Sequence, residues 1–186
     1  NYIHMDDISY LVEHTPPRVS EQDASELISQ IADPETQREL RSIVPLMTPY
    51  HRADILPELC KAKLPDIQGY ARAWGWSDPP EDAKKIAGYV AELIKDGDTV
   101  QIGVGTPSGF LPRLGIFDGR KDLGWHSEMG SAGVLDLVRD GVINGSRKTI
   151  NKGKAVFTGL YGLKGSEIEY AHNNPLVEQH DSDYVV

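Results

Sequence analysis

The stretch that most constrains the fold is Asp96-Gly97-Asp98, followed by Thr99-Val100-Gln101-Ile102 and then Gly103-Val104-Gly105-Thr106-Pro107-Ser108-Gly109. It reads as a turn, a β-prone run bounded by glycines and a glycine-rich loop. An apolar stripe at helical spacing precedes it (Ala83, Ile86, Ala87, Val90, Leu93, Ile94). Asp78-Pro79-Pro80-Glu81 opens that stripe like a capping box, with proline at the first helical position. Beyond the loop, residues 108–114 allow a short helical turn that Gly115 ends. Further strands are expected over residues 123–127 and 155–160. Between them Ser131 can cap a helix whose face is Val134, Leu135 and Val138. Gly165-Ser166 opens another helix, and Leu176-Val177-Glu178 and residues 184–186 finish in extended style. Strands alternating with helices predict an α/β fold, a mostly parallel open sheet with crossover helices.

Upstream the pattern changes. Ser20, with Asp23 three residues on, begins a helix with Leu27, Ile28 and Ile31 on one face. Asp33-Pro34-Glu35 starts a second, with Leu40, Ile43 and Val44. Prolines punctuate residues 46–80, where Trp74 and Trp76 need burial, so short packed helices are expected. His51-Arg52-Ala53-Asp54 carries reactive residue types, but no second motif supports a catalytic role. His4 and His14 read as surface groups. The chain thus divides into residues 1–19, the end of a preceding domain or a linker; 20–80, a largely helical insertion; and 81–186, an α/β domain.

Composition narrows the partners. With 186 residues, 39% of them hydrophobic, the chain can bury one core or somewhat more. A net charge of −9 argues against nucleic acid or an anionic membrane, yet leaves room for a phosphate-bearing ligand held by backbone amides. The single cysteine, Cys60, allows no internal disulfide, and no cluster has metal-ligand spacing. A reducing, cytoplasmic setting is the expectation. No apolar run approaches the roughly 20 residues of a membrane span. The first residue is Asn1 rather than Met, and Tyr184-Val185-Val186 ends the chain on apolar residues, so an excerpt of a longer protein is expected.

In a parallel sheet, ligands sit beyond the carboxyl ends of the strands. Gly103, Val104 and Gly105 lie at such an end, where glycines let backbone amides approach an anion, or simply make a tight turn. Glu128 follows the run Leu123-Gly124-Trp125 and precedes Met129 and Gly130; it is either a functional carboxylate or a helix-entry acid. His126, two residues earlier, would share its face of a strand and support it. Arg147-Lys148 and Lys152-Gly153-Lys154 could meet phosphates or form a solvated turn.

Taken together, residues 82–186 resemble the acetyl-CoA hydrolase/transferase family, which includes the 4-hydroxybutyrate and butyrate CoA-transferases. The matching words are Asp96 to Gly105, Leu123-Gly124-Trp125-His126-Ser127-Glu128-Met129, Gly133-Val134-Leu135-Asp136-Leu137 and Gly141-Val142-Ile143. Arg147-Lys148-Thr149, Lys152-Gly153-Lys154 and Asn174-Pro175-Leu176-Val177-Glu178 continue them in order. Tyr2–Asp7 resembles, more weakly, the end of the family's first domain. The resemblance implies transfer of CoA between an acyl-CoA and a small carboxylic acid, with CoA as substrate and no tightly bound cofactor or metal. It makes Glu128 the nucleophile, carrying a covalent glutamyl-CoA thioester, with Gly103, Val104 and Gly105 as the oxyanion and CoA loop. His126, Ser127, Met129 and Gly130 would support it. The family's loop usually runs on as Ile-Pro and a small residue, where this chain has Thr106-Pro107-Ser108-Gly109. A further glycine-rich CoA-holding segment is expected beyond Val186, and the complete protein is expected to be a homo-oligomer. Two other readings stay open: an acyl-CoA hydrolase such as an acetyl-CoA hydrolase, with water as acceptor, and a non-catalytic CoA-binding module in which Glu128 only caps a helix. The insertion could itself mediate subunit contact.

Overall fold

A computed structural model describes residues 17–103, 105–160 and 162–186. His4, His14, the Tyr2–Asp7 stretch and Val104 lie outside the described residues.

The helical part begins at the expected cap. Asp23 N–H donates to Ser20 Oγ (3.1 Å) and Ser20 N–H to Asp23 Oδ2 (3.3 Å), a reciprocal box that opens α1 (Glu21–Ser29). Asp33 caps α2 (Pro34–Ile43) by accepting from Thr36 N–H at 2.8 Å, with Pro34 at the first helical position. A 3-10 turn, Val44–Leu46, leads to α3 (Pro49–Leu59), capped by Thr48, and then to α4 (Leu64–Ala73). Ile28, Leu40, Ile43, Met47, Leu56 and Ile67 form a dry core of their own. Arg52 is buried beside that core: its Nε donates to Val19 O (2.9 Å), and one terminal nitrogen to Val44 O (3.2 Å) and Met47 O (3.1 Å). In the His51–Asp54 cluster, then, the arginine is a structural tie.

The helix α5 (Glu81–Leu93) starts later than expected, with Pro80 as an extended N-cap and no side-chain cap. Pro80 disfavours a helical Pro79, so Asp78 cannot serve as the cap. Ala83, Ala87 and Ile94 are buried, but Ile86 and Leu93 of the expected stripe are exposed.

Four parallel strands follow in the order β1 (Thr99–Val100), β2 (Gly124–Met129), β3 (Ala155–Gly159) and β4 (Val177–Gln179). The crossovers carry a 3-10 helix (Ser108–Leu114), α6 (Val134–Arg139) and α7 (Gly165–Ala171). The expected α/β architecture, with a helical part before it, is what forms. Trp125 and Phe157 anchor the main core with Val134, Leu135, Phe117 and Ala87. The end of the chain is not extended: Asp181 precedes α8 (Ser182–Val185), which packs Val185 and Tyr184 over the other face of β2 and β3.

Two strand ends also differ. β1 pairs only through Val100, because Ser127 Oγ takes over both backbone groups of Ile102, accepting its N–H (3.3 Å) and donating to its carbonyl (3.1 Å). Meanwhile β2 runs on to Met129, which pairs with Gly159. Glu128 is therefore a strand residue and not a helix-entry acid. Ser131 is not the cap of α6 either; Gly133 holds that position at φ 97°.

Candidate functional site

Strand alternation sorts the β2 residues onto two faces. Trp125 and Ser127 are buried on one, with Met129 half-buried beyond them. His126 and Glu128 share the other. His126 lies near Tyr184, with ring centroids 6.2 Å apart. Its Nδ1 is buried without a hydrogen-bond partner among the described residues. Burial, with Lys148 and His180 nearby, pushes its pKa below the usual histidine value, which favours the neutral ring. Glu128 is exposed at the strand's carboxyl end and makes no hydrogen bond or ion pair among the described residues.

Beside this end lies a cavity of about 290 Å³, bounded by Gly103, Gly105, Met129, Gly130, Ser131 and Trp74, among others. The structure thus brings together Gly103, Gly105, Met129 and Gly130 as the sequence suggests, with Ser127 beneath them. Glu128 stands next to this cavity in sequence, but not in its wall. The loop itself is built from short-range bonds. Ser108 Oγ lies 2.7 Å from Gly103 O and 2.9 Å from Gly105 O, and Gly105 O also accepts from Gly109 N–H (2.8 Å). Gly105 sits at φ 111°, where a side chain would strain the backbone. Peptide planarity turns Thr106 N–H the opposite way from the Gly105 carbonyl that Ser108 engages. The Thr106–Pro107 peptide is cis.

The basic run serves the other end of the sheet. Lys148 is buried, and its Nζ donates to Trp125 O (2.9 Å) and Lys154 O (3.0 Å), near where β2 and β3 begin. Arg147 pairs with Asp122 at 2.9 Å, and Lys154 Nζ donates to Pro175 O at 2.6 Å. These cations bind protein carbonyls and carboxylates at the amino ends of the strands, away from the glycine loop.

Glu167 is the residue that sequence reasoning missed. Its carboxylate, fully buried, accepts from the backbone N–H groups of Gly133 (3.0 Å to each oxygen), Leu135 (2.9 Å) and Lys164 (3.0 Å). It therefore caps α6 from 32 residues downstream of Leu135 while closing the first turn of α7. Burial raises its pKa, against the lowering pull of these amides and of the Lys164 ammonium. A glutamate three residues after Lys164 was the available signal, though nothing in the sequence pointed to Gly133.

Comparison with known proteins adds kinship to this geometry. No family model matches the chain. Over 111 residues, 58% of the chain, it is 45% identical to the 4-hydroxybutyrate coenzyme A transferase of Clostridium kluyveri, covering 25% of that protein. Over 108 residues, also 58% of the chain, it is 39% identical to the succinyl-CoA:cyclohexane-1-carboxylate CoA transferase of Geobacter metallireducens, covering 23% of it. The crystal structure of RipA from Yersinia pestis matches 59% of the chain at 33% identity with a TM-score of 0.53, over 24% of that structure's chain. The chain spans about a quarter of the length of the curated relatives it matches. Over the matched stretch its curated homologues are CoA-transferases.

Proposed function

Taking kinship with the CoA-transferases as premise, we propose that the protein carrying this sequence moves CoA from an acyl-CoA to a carboxylic acid, with Glu128 as nucleophile. The Glu128 carboxylate attacks the thioester carbonyl, expelling CoA thiolate and leaving a mixed anhydride. The thiolate then attacks the glutamyl carbonyl, releasing the first acid and forming a glutamyl-CoA thioester. The acceptor carboxylate repeats both steps in reverse and leaves as acyl-CoA. Covalent catalysis divides one difficult exchange into easier ones.

The observation that carries this reading is the state of Glu128: an exposed carboxylate on β2, unpartnered among the described residues, one residue before Met129 and Gly130 in the wall of the glycine-loop cavity. A carboxylate held by a cation would be a poorer nucleophile, and buried it could not meet a substrate. Each tetrahedral intermediate develops an oxyanion, and the backbone amides around Gly103–Gly105 are the donors assigned to it. One such donor is worth about 3 kcal/mol. A homo-oligomeric, CoA-using enzyme without a resident metal completes the proposal.

The test incubates the complete protein with an acyl-CoA and maps adducts by mass spectrometry. A CoA thioester on Glu128 is expected, and Glu128→Ala should lose both adduct and turnover, by about 10³-fold or more given what removal of a nucleophile does elsewhere. Full activity in Glu128→Ala with no adduct on the parent would overturn the assignment.

A further inference from the structure

A second, larger cavity of about 610 Å³ opens between α3, α4 and the carboxyl ends of β3 and β4. The helical part supplies His51, Asp54, Ile55, Tyr70, Trp74 and Trp76; the sheet side supplies the end of β3 with Leu160, Gly162 and Leu163, and Ile168 and Gln179 beyond. The wall is mainly apolar and aromatic. Trp74 and Trp76 stack with centroids 5.9 Å apart, and His51 meets Trp76 edge-on at 5.3 Å. His51 Nε2 and Tyr70 OH are joined at 2.5 Å, so these two rings are held in place by a hydrogen bond as well as by packing. Trp76 Nε1 and Thr158 Oγ1, on two of the lining residues, are buried without a partner among the described residues.

Trp74 and Gly162 belong to the walls of both this cavity and the smaller one at the glycine loop. The two spaces therefore share a wall at Trp74 and Gly162. Small-molecule sites have this character: several hundred Å³, apolar and aromatic walls, and a few fixed polar groups. An acid the size of acetate needs none of this volume, whereas a ring, which takes about 150 Å³, can enter it and leave the carboxyl end of the acid towards the glycine loop. Asp54 on the cavity wall disfavours an anion within the cavity itself, and so favours an occupant whose buried end is uncharged.

We propose that this cavity holds the apolar, ring-bearing body of a carboxylic acid and so selects the acyl group for the transfer assigned to Glu128. The inference rests on that reading for its role, but its binding step does not require Glu128.

Calorimetric titration of the full chain with benzoate, 3-phenylpropanoate and acetate tests it. The aromatic acids should bind at least tenfold more tightly than acetate, and should keep that preference in Glu128→Gln. Ile55→Trp fills part of the cavity and should weaken aromatic-acid binding at least tenfold with its melting temperature preserved; Leu160→Trp serves if Ile55→Trp does not fold. Equal affinity for benzoate and acetate, no aromatic-acid binding, or aromatic-acid binding that survives the folded cavity-filling variants would each overturn the proposal. A Glu128 adduct formed without any preference for a ring would sink this inference alone. Ring binding without an adduct would sink the catalytic reading and leave the cavity as a binding site.

Discussion

Two buried ionisable side chains carry structural duties that their residue types alone do not announce. Glu167 satisfies backbone donors at the starts of α6 and α7, so truncation leaves several of them buried and unpaired. Each orphaned donor costs about 1–3 kcal/mol. Glu167→Ala should therefore lose about 3 kcal/mol or more in a urea denaturation, and a loss below about 1 kcal/mol would show the cap to be dispensable. Lys148 gives a pH signature instead. Burial pushes its pKa from the usual 10.5 down to about 8, and the neutral amine can still donate to both carbonyls. Between those values the unfolded chain holds the extra proton, so folding should become more favourable as pH rises from about 8 to 10.5. Below that window the desolvation penalty is constant. Stability measured against pH for the parent minus Lys148→Met should climb across the window, and a flat difference would refute the shift. In sequence, Lys148 belonged to a basic run that read as a phosphate contact or a solvated turn. The register of β2 and β3 decided otherwise by bringing two carbonyls to its ammonium.

Element boundaries were legible where the caps are local. Ser20 with Asp23, and Asp33 with Pro34, act within one turn, so the spacing of residues suffices. They were misread where a distant group intervenes. The loop leaves β1 two residues early because Ser127, across the sheet, replaces the ladder at Ile102. Ser127→Ala should cost about 1–3 kcal/mol by stranding that buried pair. By loosening the glycine loop it should also lower turnover more than it weakens substrate binding. Unchanged kcat in a variant of native stability would separate Ser127 from the loop. Tyr184 and Val185 failed as an extended end for the same kind of reason, since they pack as a helical turn on the open face of the sheet.

The whole molecule holds two hydrophobic cores, one in the helical part and one around the sheet. We propose that residues 20–80 and 81–186 are the corresponding units, as the change of pattern near residue 80 suggests. Arg113, on the 3-10 helix, fastens one to the other: its guanidinium donates to Gly75 O and to Ser77 O (3.2 Å) while lying over the Phe110 ring. Gly165 comes equally close from the other side, where a Cβ would lie 2.8 Å from Met47 O. Arg113→Ala should cost about 2 kcal/mol and broaden the denaturation transition towards two steps. A single, equally steep transition would mean that the two cores unfold together without it. The larger cavity lies between these parts and depends on their docking.

By itself the sequence determined the class of fold, the helices with local caps and the alternation that gives a parallel sheet. Those features follow from periodicity and from interactions within one or two turns, which any reader of spacing can find. The tertiary structure alone decided which face Glu128 occupies relative to the glycine loop. It also decided that Lys148 faces inward, that Glu167 is a cap, and that His51, Tyr70, Trp74 and Trp76 line a cavity at the carboxyl ends of the strands. Each of these needs tertiary contacts: the register of β2 and β3 for Lys148, the approach of α6 and α7 for Glu167, and the packing of α3 and α4 against the sheet for the cavity.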